Sequence, residues 1–425
     1  MKVHSNRMEH WNRQFTALLT VQLLVSTAHG MFVPLLPNFL EDVGHVRGDS
    51  LYIWSGVVFS ANFIAMMLAM PFLGRIGDRY GRKPVMLWSG FGMAVITACM
   101  PLASEPWQLT LLRFLQGCFT GILPFTMVLV LIGASRKKVG VSAGTMQMMG
   151  ESGSLIGPLI ASSLLSFMPV QSAYPAMSVF IFMAAMCVLL FVNEGPRTTH
   201  IPTKVRDSLL TDWKRLWRMK PLPSLLISAL CVNFAIIGTN PVLPYYVKQA
   251  THTLPFLNEQ WLLGVTLSTT SLAVILFSPF LGMISDRVGP LLLLKVATST
   301  ALLLCLVQAI THFYPIILGC RFLLGLCVAG MMPNIQAQVR GLVQKGMEGQ
   351  TFAMVNSWMF LGSLSGPLIG GIIVAQFGIQ GWFVAAMLVF AISCGQAFGI
   401  GRFYSRNAHL QVTHSLFNPA TESKP

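Results

Sequence analysis

One eleven-residue segment occurs twice in this chain. Residues 71–81 read PFLGRIGDRYG and residues 279–289 read PFLGMISDRVG, an offset of 208. Three other pairs keep nearly the same step. Pro34-Leu-Leu-Pro37 matches Pro241-Val-Leu-Pro244, Arg113-Phe-Leu matches Arg321-Phe-Leu, and Gly157-Pro158-Leu-Ile matches Gly366-Pro367-Leu-Ile, at offsets of 207, 208 and 209. Four landmarks in one order mean two copies of one half. The period is far too long for a solenoid, whose units run about 20–50 residues. In a strongly apolar chain it points to two parallel halves around a central path.

The chain is that apolar: 54% of its 425 residues are hydrophobic and 10% are charged, against roughly 25% charged in soluble domains. A bilayer crossing needs about 20 apolar residues. Twelve such stretches lie near 15–38, 54–76, 85–103, 107–131, 142–166, 173–193, 223–247, 261–284, 290–312, 314–339, 350–375 and 380–400. The expected fold is an all-α membrane protein, twelve transmembrane helices in two pseudo-symmetric six-helix halves. The expected divisions are a first half over 1–193, a linker over 194–222, a second half over 223–402 and a disordered cytoplasmic tail over 403–425. Leu209, Leu210, Trp213, Leu216 and Trp217, with Lys214, Arg215 and Arg218 between them, predict an amphipathic helix in the linker, lying on the inner leaflet or simply tethering the halves. The first stretch is read as a crossing rather than a cleaved signal, because it ends in Pro34 and Pro37 and has a repeat mate.

A net charge of +14 invites a nucleic-acid reading, but its placement argues against one. With both termini on one side, 24 of the 28 Lys and Arg fall on that side. Arg47 and Lys248 face the other side, and Arg113 and Arg321 lie within crossings. This is the positive-inside bias, and it predicts cytoplasmic termini and contact with anionic inner-leaflet lipid. The eight cysteines all lie in apolar stretches and form no CxxC, so neither a disulfide framework nor a metal site is expected. No P-loop, HExxH or nucleophile elbow is present, so neither an enzyme nor a cofactor is expected.

The turn Gly74-Arg-Ile-Gly-Asp78-Arg79-Tyr-Gly81-Arg82-Lys83 sets glycines, a carboxylate and several cations at a membrane edge. Its carboxylate can pair with those cations or cap a helix N-terminus. The second copy keeps Gly282, Asp286, Arg287 and Gly289 but continues with Pro290. An arginine within a crossing, as in Leu109-Thr-Leu-Leu-Arg113-Phe-Leu-Gln116-Gly117, is costly and usually functional, although it can also snorkel to an edge. Small residues four apart, as in Gly153-Ser-Leu-Ile-Gly157-Pro158 and Gly362-Ser-Leu-Ser-Gly366-Pro367, let helices approach closely.

Together these segments resemble the major facilitator superfamily over essentially the whole chain, and within it the bacterial twelve-span drug/proton antiporters. The run Trp54-Ser-Gly-Val-Val-Phe-Ser60 with residues 71–83 is similar to multidrug exporters of that group. The resemblance implies an inner-membrane exporter working by alternating access. It implies that the 74–83 turn, through Asp78, latches one conformation, that Arg113 assists proton transfer, and that the glycine–proline motif marks an exporter.

One of the fourteen acidic residues falls deep in a crossing. Glu151 lies about ten residues into the fifth, roughly 15 Å from its edge. A carboxyl that gains and loses a proton there is what proton exchange needs; reading a cationic substrate, or a structural hydrogen bond, are the alternatives. His29 in the first crossing is a second candidate, for coupling or for a plain hydrogen bond. Their repeat mates are Ile236 and Phe360, so the titratable groups concentrate in the first half. Asn233, Asn240, Asn334, Gln336 and Asn356, with Trp358 and Phe360 beside them, form the expected substrate cavity of the second half. The expected partners are a small molecule, protons and lipid, with the protein a monomer. The alternatives are a proton-linked carrier of one metabolite (a siderophore, sugar or organic acid) and a non-transporting membrane sensor.

Overall fold

The fold is described from a computed structural model, over residues 2–134, 139–194, 217, 220–251, 258–342 and 348–417. The described residues are helical almost throughout. The helices are α1 Lys2–Asp42, α2 Asp49–Tyr80, α3 Arg82–Cys99, α4 Pro106–Cys118, α5 Ile122–Gly133, α6 Val139–Phe167, α7 Val170–Phe191, α8 Leu222–Thr239, α9 Leu243–Thr251, α10 Glu259–Val288, α11 Pro290–Ile310, α12 Tyr314–Leu342 and α13 Glu348–Phe417.

Their ends follow local chemistry. Gly81 and Gly289 hold φ of 101° and 90°, which lets α2 and α10 turn at once into α3 and α11. The Asn258 side chain accepts from the amides of Gln260 (2.9 Å) and Trp261 (3.4 Å), capping α10. Gln108 accepts from the amides of Ser104 (2.7 Å) and Glu105 (3.3 Å) where α4 starts at Pro106. α4 with α5, and α8 with α9, each form one crossing bent midway; the second bend falls at Pro241.

Among the described residues, ten stretches are long and apolar enough to cross a membrane. One of them, Met354–Tyr404, has 51 residues and reverses at Gly378 (φ 74°), so it crosses twice. The twelfth crossing is α6, which is too polar to count by hydropathy because it carries the run Met146-Gln-Met-Met-Gly-Glu-Ser-Gly-Ser154. That run is tolerated because α6 packs between α1 and α10. One expectation changes here, and another falls outside the described residues. α13 stays helical through Phe417, where a disordered tail from 403 is expected, since no proline or glycine follows Gly401 until Pro419. Of the predicted linker helix only Trp217 is described; Leu209, Leu210, Trp213, Lys214, Arg215, Leu216 and Arg218 lie outside the described residues.

Two seams join the halves, α2 against α13 and α6 against α10, and the repeat relates them. Gly56 abuts the Pro367 carbonyl, and its mate Gly264 abuts Pro158 and Ser162. Ser60 Oγ donates to the Leu364 carbonyl (2.8 Å), and its mate Ser268 Oγ donates to the Leu155 carbonyl (2.6 Å). Both seams run at the end of the molecule opposite the basic turns, the end that the charge bias predicts to face outward and that is called outer on that expectation. There Asn258 also bonds Ser166 (3.3 Å), Gln260 bonds Asn38 (3.3 Å) and Ser55 bonds Tyr245 (2.7 Å). The core of the first half runs on into Val242, Leu243, Leu267 and Val374 of the second, which also has its own core around Leu226, Leu294, Met331 and Ile400. Toward the basic end nothing lies within 4 Å of a side chain built at Gly140, Gly144 or Gly282.

A side chain at Gly56 would collide with backbone that cannot yield. Overpacking of this kind costs about 1–3 kcal/mol. Gly56→Val is therefore expected to force α2 from α13 and lengthen the distance between spin labels at residues 47 and 378, read by double electron–electron resonance.

Candidate functional site

The glycine–proline motifs are packing devices within each half. Gly153 and Gly157 lie against the α1 backbone at Leu23, Thr27 and Gly30, while Gly362 and Gly366 lie against the α8 backbone at Leu230 and Phe234. Pro158 and Pro367 sit on the turn that faces the other half. α6 is thereby clamped to α1 on one side and to α10 on the other, and Glu151 projects from the stretch between.

Glu151 is half-buried. Gln147 Nε2 donates to its Oε1 (3.3 Å), and Ser271 of α10 is the polar side chain that faces it from the other half. Arg113 and His29 form a separate group deeper in the first half. Arg113 is 4% exposed, donates to Gln116 Oε1 and lies 3.7 Å over the Phe32 ring. Gln116 in turn donates to Thr97 Oγ1 (2.7 Å). His29, one turn before Phe32 on α1, bonds the Val25 carbonyl through Nδ1 (2.9 Å). No hydrogen bond joins Glu151 to either residue among the described residues.

Arg321 repeats the arrangement in the second half. It is 8% exposed, and its carbonyl accepts from Thr270 (3.3 Å) as that of Arg113 accepts from Asn62 (3.3 Å). Nε of each arginine is buried without a partner, and neither has an acidic neighbour within ion-pair distance among the described residues. The Phe39–Tyr174 ring pair of the first half (5.7 Å) has its mate in Tyr246–Phe383 (4.7 Å).

The polar residues of the second half divide. Gln336 and Asn356 are exposed, and Asn240 ends α8 half-buried. Asn233 bonds the Ala229 carbonyl (3.0 Å) and the Met332 sulfur (3.8 Å). Asn334 differs from the cavity expectation. It is 2% exposed, donates to the Gly330 carbonyl and accepts from Ser285, so its amide serves to join α12 to α10. Trp358 is stacked on Trp217 (5.3 Å between centroids).

At the basic turn, the helix N-terminus is held by a residue the sequence did not single out. Glu194, beyond the end of α7, accepts from the amides of Arg82 (2.7 Å) and Lys83 (3.2 Å). Lys83 Nζ donates to the Leu189 carbonyl (3.0 Å). Asp78 does not cap α3; it is exposed near the end of α2, and Arg79 lies over Tyr80 (5.2 Å). Gly74 is open, and Asp286 and Arg287 are exposed as well. The signal that could have pointed to Glu194 is its lone carboxylate close after a crossing.

At the outer end, Lys248 of α9 bonds Glu41 of α1 (2.9 Å), the salt bridge found among the described residues. Burial works against the Lys248 charge. The bond to Glu41 and the nearby Glu259 and Asp42 outweigh it and hold the ammonium above the usual lysine range. The ammonium therefore keeps its charge at neutral pH, and its contribution is lost as pH rises through that elevated value. No group of three His, Cys, Asp or Glu gathers to hold a metal among the described residues.

Two six-helix halves, joined at one end and bearing a carboxyl at the join, define a membrane carrier of the alternating-access type. The profile of the Major Facilitator Superfamily matches residues 18–307 and 238–409, and the chain belongs to that family. It is 29% identical over 387 residues to the multidrug resistance protein MdtG of Rahnella sp. (strain Y9602), covering 89% of this chain and 92% of that one. It is 27% identical over 388 residues to MdtG of Proteus mirabilis (strain HI4320), covering 90% and 95%. Among solved structures, a mutant form of the nucleoside transporter NupG superposes with a TM-score of 0.76 at 14% identity, over 92% of this chain and 99% of that one. A bacterial homolog of the human lysosomal transporter Spinster, in an inward-facing and occupied conformation, gives 0.74 at 12% identity, over 91% and 96%. These structural likenesses show the fold.

A partly exposed ion pair contributes about 0.2–1 kcal/mol. Lys248→Met is accordingly expected to raise the population with separated outer ends by no more than about fivefold, read by the same spin-label distances.

Proposed function

We propose that the protein is a proton-coupled exporter of amphipathic small molecules, drugs among them, in a bacterial inner membrane with both termini in the cytoplasm. The observation that carries this reading is Glu151, a carboxyl in the middle of a crossing, located where the contact between the halves ends. In that frame the basic end faces the cytoplasm, and the halves are joined on the outside and parted toward the inside. A proton arriving from outside is released from Glu151 to the cytoplasmic opening, and a substrate then enters from the same side. Gln336, Asn356, Asn233 and Asn240 supply scattered hydrogen-bonding groups among apolar walls, which suits ligands that share amphipathic character rather than one shape.

The kinship with MdtG proteins supports drugs as the substrate class. An anionic metabolite would need converging cations, and the two membrane arginines lie inside their own bundles instead. Arg113 and His29 act on the first half from within: Arg113 fixes α4 to α1 through Phe32, and His29 lies between that contact and the Glu151 level. When the halves close on the inside, Asp78, Arg79 and Arg82 of one turn and Asp286 and Arg287 of the other are the charges available to latch them. Proline and glycine in α6 and α13 let the clamped helices rock without losing contact.

In proteoliposomes with an imposed pH gradient, the wild-type protein is expected to accumulate a fluorescent lipophilic cation. Glu151→Gln is expected to lower gradient-driven accumulation at least tenfold. Accumulation unchanged in the variant would overturn the coupling role of Glu151.

A further inference from the structure

The two seams are copies of each other for three turns and then differ. Successive contacts along α6 and α10 pair Ser166 with Asn258, Ser162 with Gly264, Leu155 with Ser268 and Glu151 with Ser271. That is the steady register of two antiparallel helices. Along α2 and α13 the same register pairs Tyr52 with Gly371, Gly56 with Pro367 and Ser60 with Leu364. It then places Phe63 at the level of Phe360. Phe63 and Phe360 are the repeat mates of Ser271 and Glu151. Glycine and serine are thus retained in both seams, and the next turn is aromatic in one and polar in the other.

The polar turn is also where its seam ends. One and two turns further along α6, Gln147 and Gly144 are exposed, with nothing within 4 Å of a side chain at Gly144. On α10 the next residues of the seam face, Ile275 and Ser278, are half-buried, and nothing lies within 4 Å of a side chain at Gly282. The groups around Glu151 are Gln147 on its own helix, Ser271 on α10, and Gln22 and Ser26 of α1 against Gly150. None of these titrates. His29 and Arg113, the titratable groups deeper in the first half, are engaged with Val25 and with Gln116 and Phe32.

We infer that Ser271 is the positioning residue that makes movement of the two halves depend on the charge of Glu151. The inference rests on the proposed coupling role of Glu151. Once Glu151 has released its proton, its carboxylate accepts from the Ser271 hydroxyl and ties α6 to α10 at the fork. An empty, deprotonated carrier is thereby held open to the inside. A cationic substrate or a new proton takes the carboxylate away from Ser271 and frees the seam. Without this tie the empty carrier can return outward unloaded, which dissipates the gradient. The mechanical bond one turn away, Ser268 to the Leu155 carbonyl, serves packing alone, since it involves no titratable group.

The test measures proton flux into proteoliposomes without substrate, and protons moved per lipophilic cation with substrate. Wild type, Ser271→Ala, Ser271→Thr, Ser268→Ala and Glu151→Gln are compared, each checked for monodispersity. Ser271→Ala is expected to raise substrate-free proton flux at least threefold and to increase protons spent per cation. Ser271→Thr, which keeps the hydroxyl, restores wild-type values, and Ser268→Ala leaves flux unchanged. Wild-type flux and stoichiometry in Ser271→Ala, with Glu151→Gln inactive, would overturn the role of Ser271 alone. An equal leak in Ser268→Ala would reduce the effect to packing and overturn it as well. Proton-driven transport intact in Glu151→Gln would overturn the coupling reading together with the inference built on it.

Discussion

A helix can rest its neighbour's backbone against its own only where it carries no side chain. Gly56 and Gly264 meet that condition, and the remaining contacts between the halves depend on it. Because α2 and α13 approach at backbone distance, Ser60 reaches the Leu364 carbonyl. Because α6 and α10 do the same, Ser268 reaches that of Leu155. In a bilayer there is no hydrophobic drive between helices, so close packing and such hydrogen bonds carry the association. The joined outer end then leaves the basic end free to part. Everything assigned to Glu151 follows from its place at the boundary between the two.

The architecture is legible in the sequence because duplication leaves landmarks that hydropathy alone does not. The step of about 208 residues marks the two halves, and it also relates details that appear only in three dimensions, such as the carbonyls of Arg113 and Arg321 accepting from Asn62 and Thr270. α6 is recognisable through its repeat mate and its glycines, although it is the most polar of the crossings. Side-chain direction is less legible. Asn334 reads as a cavity residue from its type and depth, yet faces the bundle, since helical rotation of one residue moves a side chain by about 100°. Likewise Asp78 stands in the signature turn, but the cap of α3 comes from Glu194 more than a hundred residues later, a contact no local pattern encodes.

The buried arginines set a second constraint. Moving an arginine to a bilayer centre costs about 2.5–3.5 kcal/mol on insertion scales. Here each guanidinium is placed inside a bundle, with no carboxylate among the described residues to neutralise it. Arg113 is compensated by the Phe32 ring and the Gln116–Thr97 chain. A carboxylate beside it would bind the charge permanently; rings and amides hold it inside the first half without an ion pair among the described residues. The charge map of the membrane region is accordingly sparse and uneven, one acid at a seam and one cation within each half.

Gly378 turns the last two crossings back on themselves within a single 51-residue apolar stretch, with only Gln376 and Gln380 as polar residues beside it. Such a stretch offers the insertion machinery no hydrophilic loop at which to stop or restart. Its two arms must enter the bilayer as one hairpin, with topology dictated by the basic residues at their far ends rather than by the turn. Biogenesis of the final pair is thus a single event, and a charge placed at that turn would decide whether the hairpin can form at all.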